Sequence, residues 1–78
     1  MSATRFPVGT LVVYCGSLKE AHGTYVVAAV GQNREHETTH GLYPAVVVVS
    51  NGAPAAVRIP GEAIRGARER NLRAATPA

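Results

Sequence analysis

Tryptophan is absent from this 78-residue chain, phenylalanine occurs once and tyrosine three times. A core built from it must rest on Val, Ala, Leu and Ile, which bury methylenes but supply few large anchors. The length allows one domain, and a chain this short buries only about 60% of the surface its unfolded form exposes. A small sheet or barrel suits that supply. The single cysteine, Cys15, excludes an intrachain disulfide and points to a reducing, cytoplasmic habitat. The opening MSATRFPVGT lacks the apolar centre of a signal peptide, and no apolar run approaches the roughly 20 residues of a membrane-spanning helix. An unexported protein with no membrane partner is therefore expected. Also missing are paired carboxylates, a serine-nucleophile motif and a phosphate-cradling glycine loop opening a helix. No catalytic residue, cofactor or enzymatic activity is assigned on this basis.

What charge there is lies unevenly. Up to Ile64, four basic residues (Arg5, Lys19, Arg34, Arg58) cancel four acidic ones (Glu20, Glu35, Glu37, Glu62). Beyond it Arg65, Arg68, Arg70 and Arg73 face only Glu69, so the net charge of +3 sits at the C-terminal end. This is a neutral body with a basic tail. Seven of the eight basic residues are Arg, and Ala, Gly, Val and Pro abound, a bias that suggests a GC-rich bacterial genome.

Strand-length runs of β-branched and aromatic residues occupy Thr10–Cys15 and Thr24–Val30. Gly16 and Gly23 bracket the insert between them, as residues able to take positive φ, and the whole reads as a hairpin with a long connection. The segment GQNREHETTHG, Gly31 to Gly41, is polar throughout and reads as a surface loop. Leu42–Ser50 is the next strand, with Pro44 near its start. Asn51-Gly52 signals a tight hairpin turn, Ala55–Ile59 returns, and Pro60-Gly61 ends it.

The phrase VGTLVVYCGSLKEAHGTYVV resembles the KOW motif of SH3-like barrels found in ribosomal proteins and transcription elongation factors, with Gly9, Val12, Gly16, Lys19 and Gly23 near the motif's places. VRIPGEAIRGA resembles the end of such a barrel, where a strand, a 3₁₀ turn and a short closing strand follow one another. YCGSLKEAHGTYVV is also similar to a phrase recurring in small uncharacterised proteins of actinobacteria and their phages or mobile elements, a similarity that carries no assigned activity. The resemblance implies an all-β, five-stranded SH3-like barrel over residues 9–66, preceded by an arm (1–8) and followed by a basic tail (67–78). For the stretch 62–75 two readings stand open, a closing strand through Ile64 and Arg65 with a disordered end, or a helix from Glu62 to Ala75. The i, i+4 pairs Arg65–Glu69 and Glu69–Arg73 favour the helix and Gly66 opposes it.

Five features bear on function. The letters HETTH, His36 to His40, satisfy the spacing of a zinc-protease helix, but two threonines and flanking glycines withhold that helix, so the segment is read as a solvated loop and no metal is assigned. Cys15 ends an apolar strand and is read as a buried, inert thiol. Tyr14 and Tyr25 are read as cross-strand partners. Of the four valines Val46, Val47, Val48 and Val49, strand alternation should turn two inward and two outward. The outward pair, with Tyr43, is a candidate surface for a protein partner or homodimer. Lys19 and His22 at the loop tip, with Arg65, Arg68, Arg70 and Arg73, are the candidate contacts to RNA or DNA. The sequence thus points to a non-catalytic binding module, leaning to nucleic acid, with protein interaction as the alternative.

Overall fold

The computed structural model describes residues 4–75; the outermost parts of the expected arm (1–3) and tail (76–78) lie outside them. In β1, Leu11–Tyr14, the period-2 pattern of a half-buried strand is plain: Val12 and Tyr14 point into the core, Leu11 and Val13 away from it. Cys15 follows on the outward side and is exposed, its thiol donating to the Asn71 carbonyl at 3.3 Å. The expectation of a buried thiol fails because the alternation that buries Tyr14 must expose its neighbour.

Five further strands follow: β2 (Gly23–Gln32), β3 (Thr38–Ser50), β4 (Ala53–Arg58), β5 (Ile64–Arg68) and β6 (Leu72–Ala74). Single 3₁₀ turns at Lys19–Ala21 and Glu69–Asn71 lead into β2 and β6. The described residues are all-β, one antiparallel sheet of six strands in the order β4-β3-β2-β1-β6, not closed on itself, with β5 pairing the first half of β3. No α-helix occurs among the described residues.

Phe6, Val12, Tyr14, Tyr25, Val27, Leu42, Ala67 and Leu72 form the core. Two β-bulges aim residues into it. Between Val27 and Ala29 the β2–β3 register shifts by one residue. In β5, Ile64 and Ala67 both reach the core although they are three apart, because the register also shifts opposite His40–Leu42 and Gly66 takes φ 70°. A left-handed glycine is the usual residue of such a bulge. Phe6 is buried, so the N-terminal segment packs onto the sheet.

The C-terminal stretch is neither helix nor loose end. The chain pairs through Arg68, turns once and docks β6 on β1 with Leu72 opposite Tyr14, which makes six strands where five were expected and places the expected 66/67 boundary inside β5. The bulge at Gly66 and the burial of Leu72 override the local helical preference of Ala, Glu and Arg.

The polar segment 31–41 also departs from its reading. β2 runs to Gln32 and β3 starts at Thr38, leaving only 33–37 as a connection. The Asn33 side chain accepts from the backbone N–H groups of Glu35 and Glu37 and holds it, with His36 at φ 63°. Polarity here marks a sheet end that faces water. Gly16 and Gly23 are not left-handed. Gly16 is required by contact: a Cβ there would lie 2.5 Å from the Tyr14 hydroxyl, whose ring folds over it.

The turn at Asn51-Gly52 has positive φ at both residues, 53° and 77°, as a two-residue hairpin demands. The β3–β4 hairpin it closes runs past the start of β2. All four valines 46–49 are exposed, at 41–66%, together with Val57 and Ile59. The expected inward pair is absent, since among the described residues no strand covers either face of this extension closely enough to bury a side chain.

Candidate functional site

The loop after β1 and the strand β5 face each other across two adjoining grooves, each of about 480 Å³, with Leu18, Ile64 and Arg65 between them. The first is walled by Arg65, Arg68 and Arg70, with Ser17 and Asn71 as further polar groups and Tyr14 below, and no acid lines it. The second is edged by Glu20, Glu62 and Arg65. A cationic groove thus abuts an acidic one.

Local structure explains the gathering of arginines. The bulge at Gly66 turns Arg65 and Arg68 outward while Ile64 and Ala67 pack inward, and the 3₁₀ turn sets Arg70 beside them. Arg68 lies 3.8 Å from Glu37, a surface pair of the kind worth about 0–1 kcal/mol, so it stays available to a ligand. Glu69, the only acid beyond Glu62, turns away. Its carboxylate accepts from the Thr4 hydroxyl at 2.5 Å and from the Arg5 backbone N–H at 3.1 Å. The Thr4 bond is the main reason its carboxyl is held below the ordinary glutamate range; partial burial opposes the shift, and the Arg5 amide, His40 and the Arg5 charge add to it.

The remaining candidates stand outside this groove. Lys19 is exposed on the 3₁₀ turn of the loop. His22 donates through Nε2 to the Gly16 carbonyl at 2.6 Å and sets its ring edge-on to Tyr14, so it braces the loop. Arg73 is exposed on β6, opposite Val13. Tyr43 carries the Arg58 guanidinium 4.0 Å above its ring. Ser17 and Asn71, which reasoning on the sequence did not single out, join the arginines only because the chain ends return to the loop; no local pattern marks them.

The HETTH segment separates into two unlike histidines. His36 is exposed in the connection, whereas His40 is fully buried on β3. The Thr4 hydroxyl gives its proton to Glu69 and accepts from the Phe6 backbone N–H at 3.1 Å, so the His40 Nε2–H donates to it at 2.9 Å. Phe6 packs edge-on against the imidazole, and Nδ1 is buried with no hydrogen-bond partner among the described residues. The solvated-loop reading therefore holds for His36 and fails for His40, whose position on the inward face of β3 was masked by the polar letters around it. No group of three or more His, Cys, Asp or Glu side chains placed to hold a metal occurs among the described residues.

Tyr14 and Tyr25 do touch, with ring centroids 6.4 Å apart and planes at 85°, although Tyr25 pairs directly with Val12 and the contact is diagonal. The Tyr25 hydroxyl donates to the Ala21 carbonyl at 2.6 Å, anchoring the loop. Burial pushes its phenol above the ordinary range, and Tyr14 adds to the shift.

Among the described residues no helix is long and apolar enough to cross a membrane. The chain matches no family model, and no curated protein and no solved structure matches it significantly.

Proposed function

We propose that this chain is a small non-catalytic binding module that associates with a nucleic-acid backbone, phosphates seating on Arg65, Arg68 and Arg70. The observation that carries this reading is the acid-free groove these three arginines share, beside the Ser17 and Asn71 polar groups, with Glu69 diverted to the N-terminal segment. Arg guanidinium groups fit phosphate oxygens in forked pairs, and side-chain hydroxyl and amide groups commonly add backbone contacts. The acidic groove next door, with Glu20 and Glu62, would repel the strand and confine it to one track. The fold reading that goes with this takes β4 and β5 as one interrupted strand along β3, which leaves the order of an SH3-like barrel with a 3₁₀ turn before its closing strand. The contacts proposed are to phosphates, which carry no sequence information, so binding independent of sequence is expected.

Salt dependence tests it. Affinity for a duplex DNA probe falls with ionic strength, and replacing Arg65, Arg68 and Arg70 with Gln lowers the log–log slope by up to about 2.7, at roughly 0.9 per phosphate contact. Arg73→Gln, outside the groove, changes the slope little. A triple variant that binds with an unchanged slope sinks the proposal.

A further inference from the structure

The β3–β4 hairpin carries a second surface that the arginine groove does not use. Val46 stands opposite Val57 and Val48 opposite Ala55, so these four side chains share one face, and Ile59 continues it two residues after Val57. Val46, Val48, Val57 and Ile59 are all more than 40% exposed. The other face is partly occupied by the chain itself: Val47, Pro54 and Ala56 look across a shallow cleft of about 210 Å³ toward Gly9, Leu11 and Ala75. One contiguous aliphatic face is left open to water.

We infer that this face pairs with itself in a second copy of the chain, around a two-fold axis. Charge makes the choice of occupant. Between Glu37 and Arg58 the chain has no Asp, Glu, Lys or Arg, although the whole carries +3. In a two-fold contact the same patch meets itself, so a net cationic protein associates with its own kind most readily where the surface is uncharged. Composition agrees. Homodimer interfaces are more apolar than those with other partners, whose cores favour Trp, Tyr and Arg. The face is Val, Ala and Ile throughout, and the tyrosine of the same strand, Tyr43, already lies under Arg58. The outer edge of β4 argues against an added strand. Ser50 pairs with Ala53 across the two-residue turn, which makes Val49–Pro54 a non-hydrogen-bonded pair and sets the donorless nitrogen of Pro54 on the free edge. Such a proline blunts strand addition, so the occupant packs on the face.

Sedimentation equilibrium of nuclease-treated, full-length protein tests the inference. A reversible monomer–dimer equilibrium is expected, unaffected by added salt. Val48→Glu and Val57→Glu shift it to monomer with an unchanged circular-dichroism spectrum and melting temperature extrapolated to dilute protein, while Val30→Glu, exposed on β2 away from the hairpin, leaves the dimer intact. Should either glutamate variant fail to fold, the gentler triple change Val46→Thr, Val48→Thr and Val57→Thr weakens dimerisation by about tenfold or more. A wild type that stays monomeric at every accessible concentration overturns the inference. So does a dimer that survives these changes, one that Val30→Glu disrupts equally, or one that salt dissociates.

Discussion

The Glu69 carboxylate accepts the hydroxyl proton of Thr4 at 2.5 Å across a separation of 65 residues, and Thr4 in turn receives the Nε2–H of the fully buried His40. One small cluster thus ties the N-terminal segment, β3 and the turn before β6 together. It binds Phe6 over the core and keeps the only acid of the C-terminal stretch out of the arginine groove.

Acid should undo this cluster. Glu69 has a folded pKa below its ordinary 4.5, chiefly through the Thr4 hydrogen bond. The stability it contributes is therefore fully present above pH 4.5 and is lost as pH falls through the depressed folded value. Glu69→Gln should lower stability at neutral pH and flatten the acid limb, so that wild type and variant converge at low pH. Denaturant midpoints measured across the acid range check this; parallel curves would show that the carboxylate plays no part.

Two glycines should respond differently to alanine. Gly66 is left-handed with nothing within 4 Å of an added Cβ, so Gly66→Ala should cost about 1 kcal/mol, the backbone penalty alone. Gly16 has no such φ, but its Cβ would strike the ring of core Tyr14, so Gly16→Ala should cost more and perturb the Tyr14–Tyr25 contact. Urea unfolding gives both costs, and near-ultraviolet dichroism should change only for Gly16→Ala.

The sequence made the strands legible where one face is buried and the period is clean, as in Leu11–Tyr14, and where turn chemistry is explicit, as at Asn51-Gly52. Failures came where tertiary contact decides. Thr38 to Gly41 reads as loop because its letters are polar, yet His40 is buried by partners from both chain ends. Glu62 to Ala75 reads as helix or loose end because neither the bulge at Gly66 nor the pairing of Leu72 with Tyr14 has a local signature. The arginines of the groove were visible as charge; their separation from Glu69 and from Arg73 was not, since it depends on where a single 3₁₀ turn points each side chain.

The last strand is structural, and adjacent substitutions should show it. Leu72 is 4% exposed within the core, so Leu72→Ala should cost about 2–5 kcal/mol, a large share of what so small a domain has. Arg73 beside it is exposed, and Arg73→Ala should stay within about 0.5 kcal/mol. Equal costs in thermal or urea unfolding would mean that β6 is not docked.

The two histidines of HETTH should separate in the same way. A metal held by the pair would make both substitutions costly and the protein more stable in zinc, because a ligand that binds only the folded state raises its stability. The structure predicts asymmetry instead. His36 is exposed at φ 63°, a conformation that glycine adopts without strain, so His36→Gly should be neutral or slightly stabilising. His40→Ala empties a fully buried site and removes a donor to Thr4, which should cost on the order of 1–3 kcal/mol or more once the void is counted. Added zinc should leave the wild-type melting temperature where it is. A rise in that temperature with zinc, abolished by His36→Gly, would show that the two histidines meet at a metal and that the buried placement of His40 is wrong.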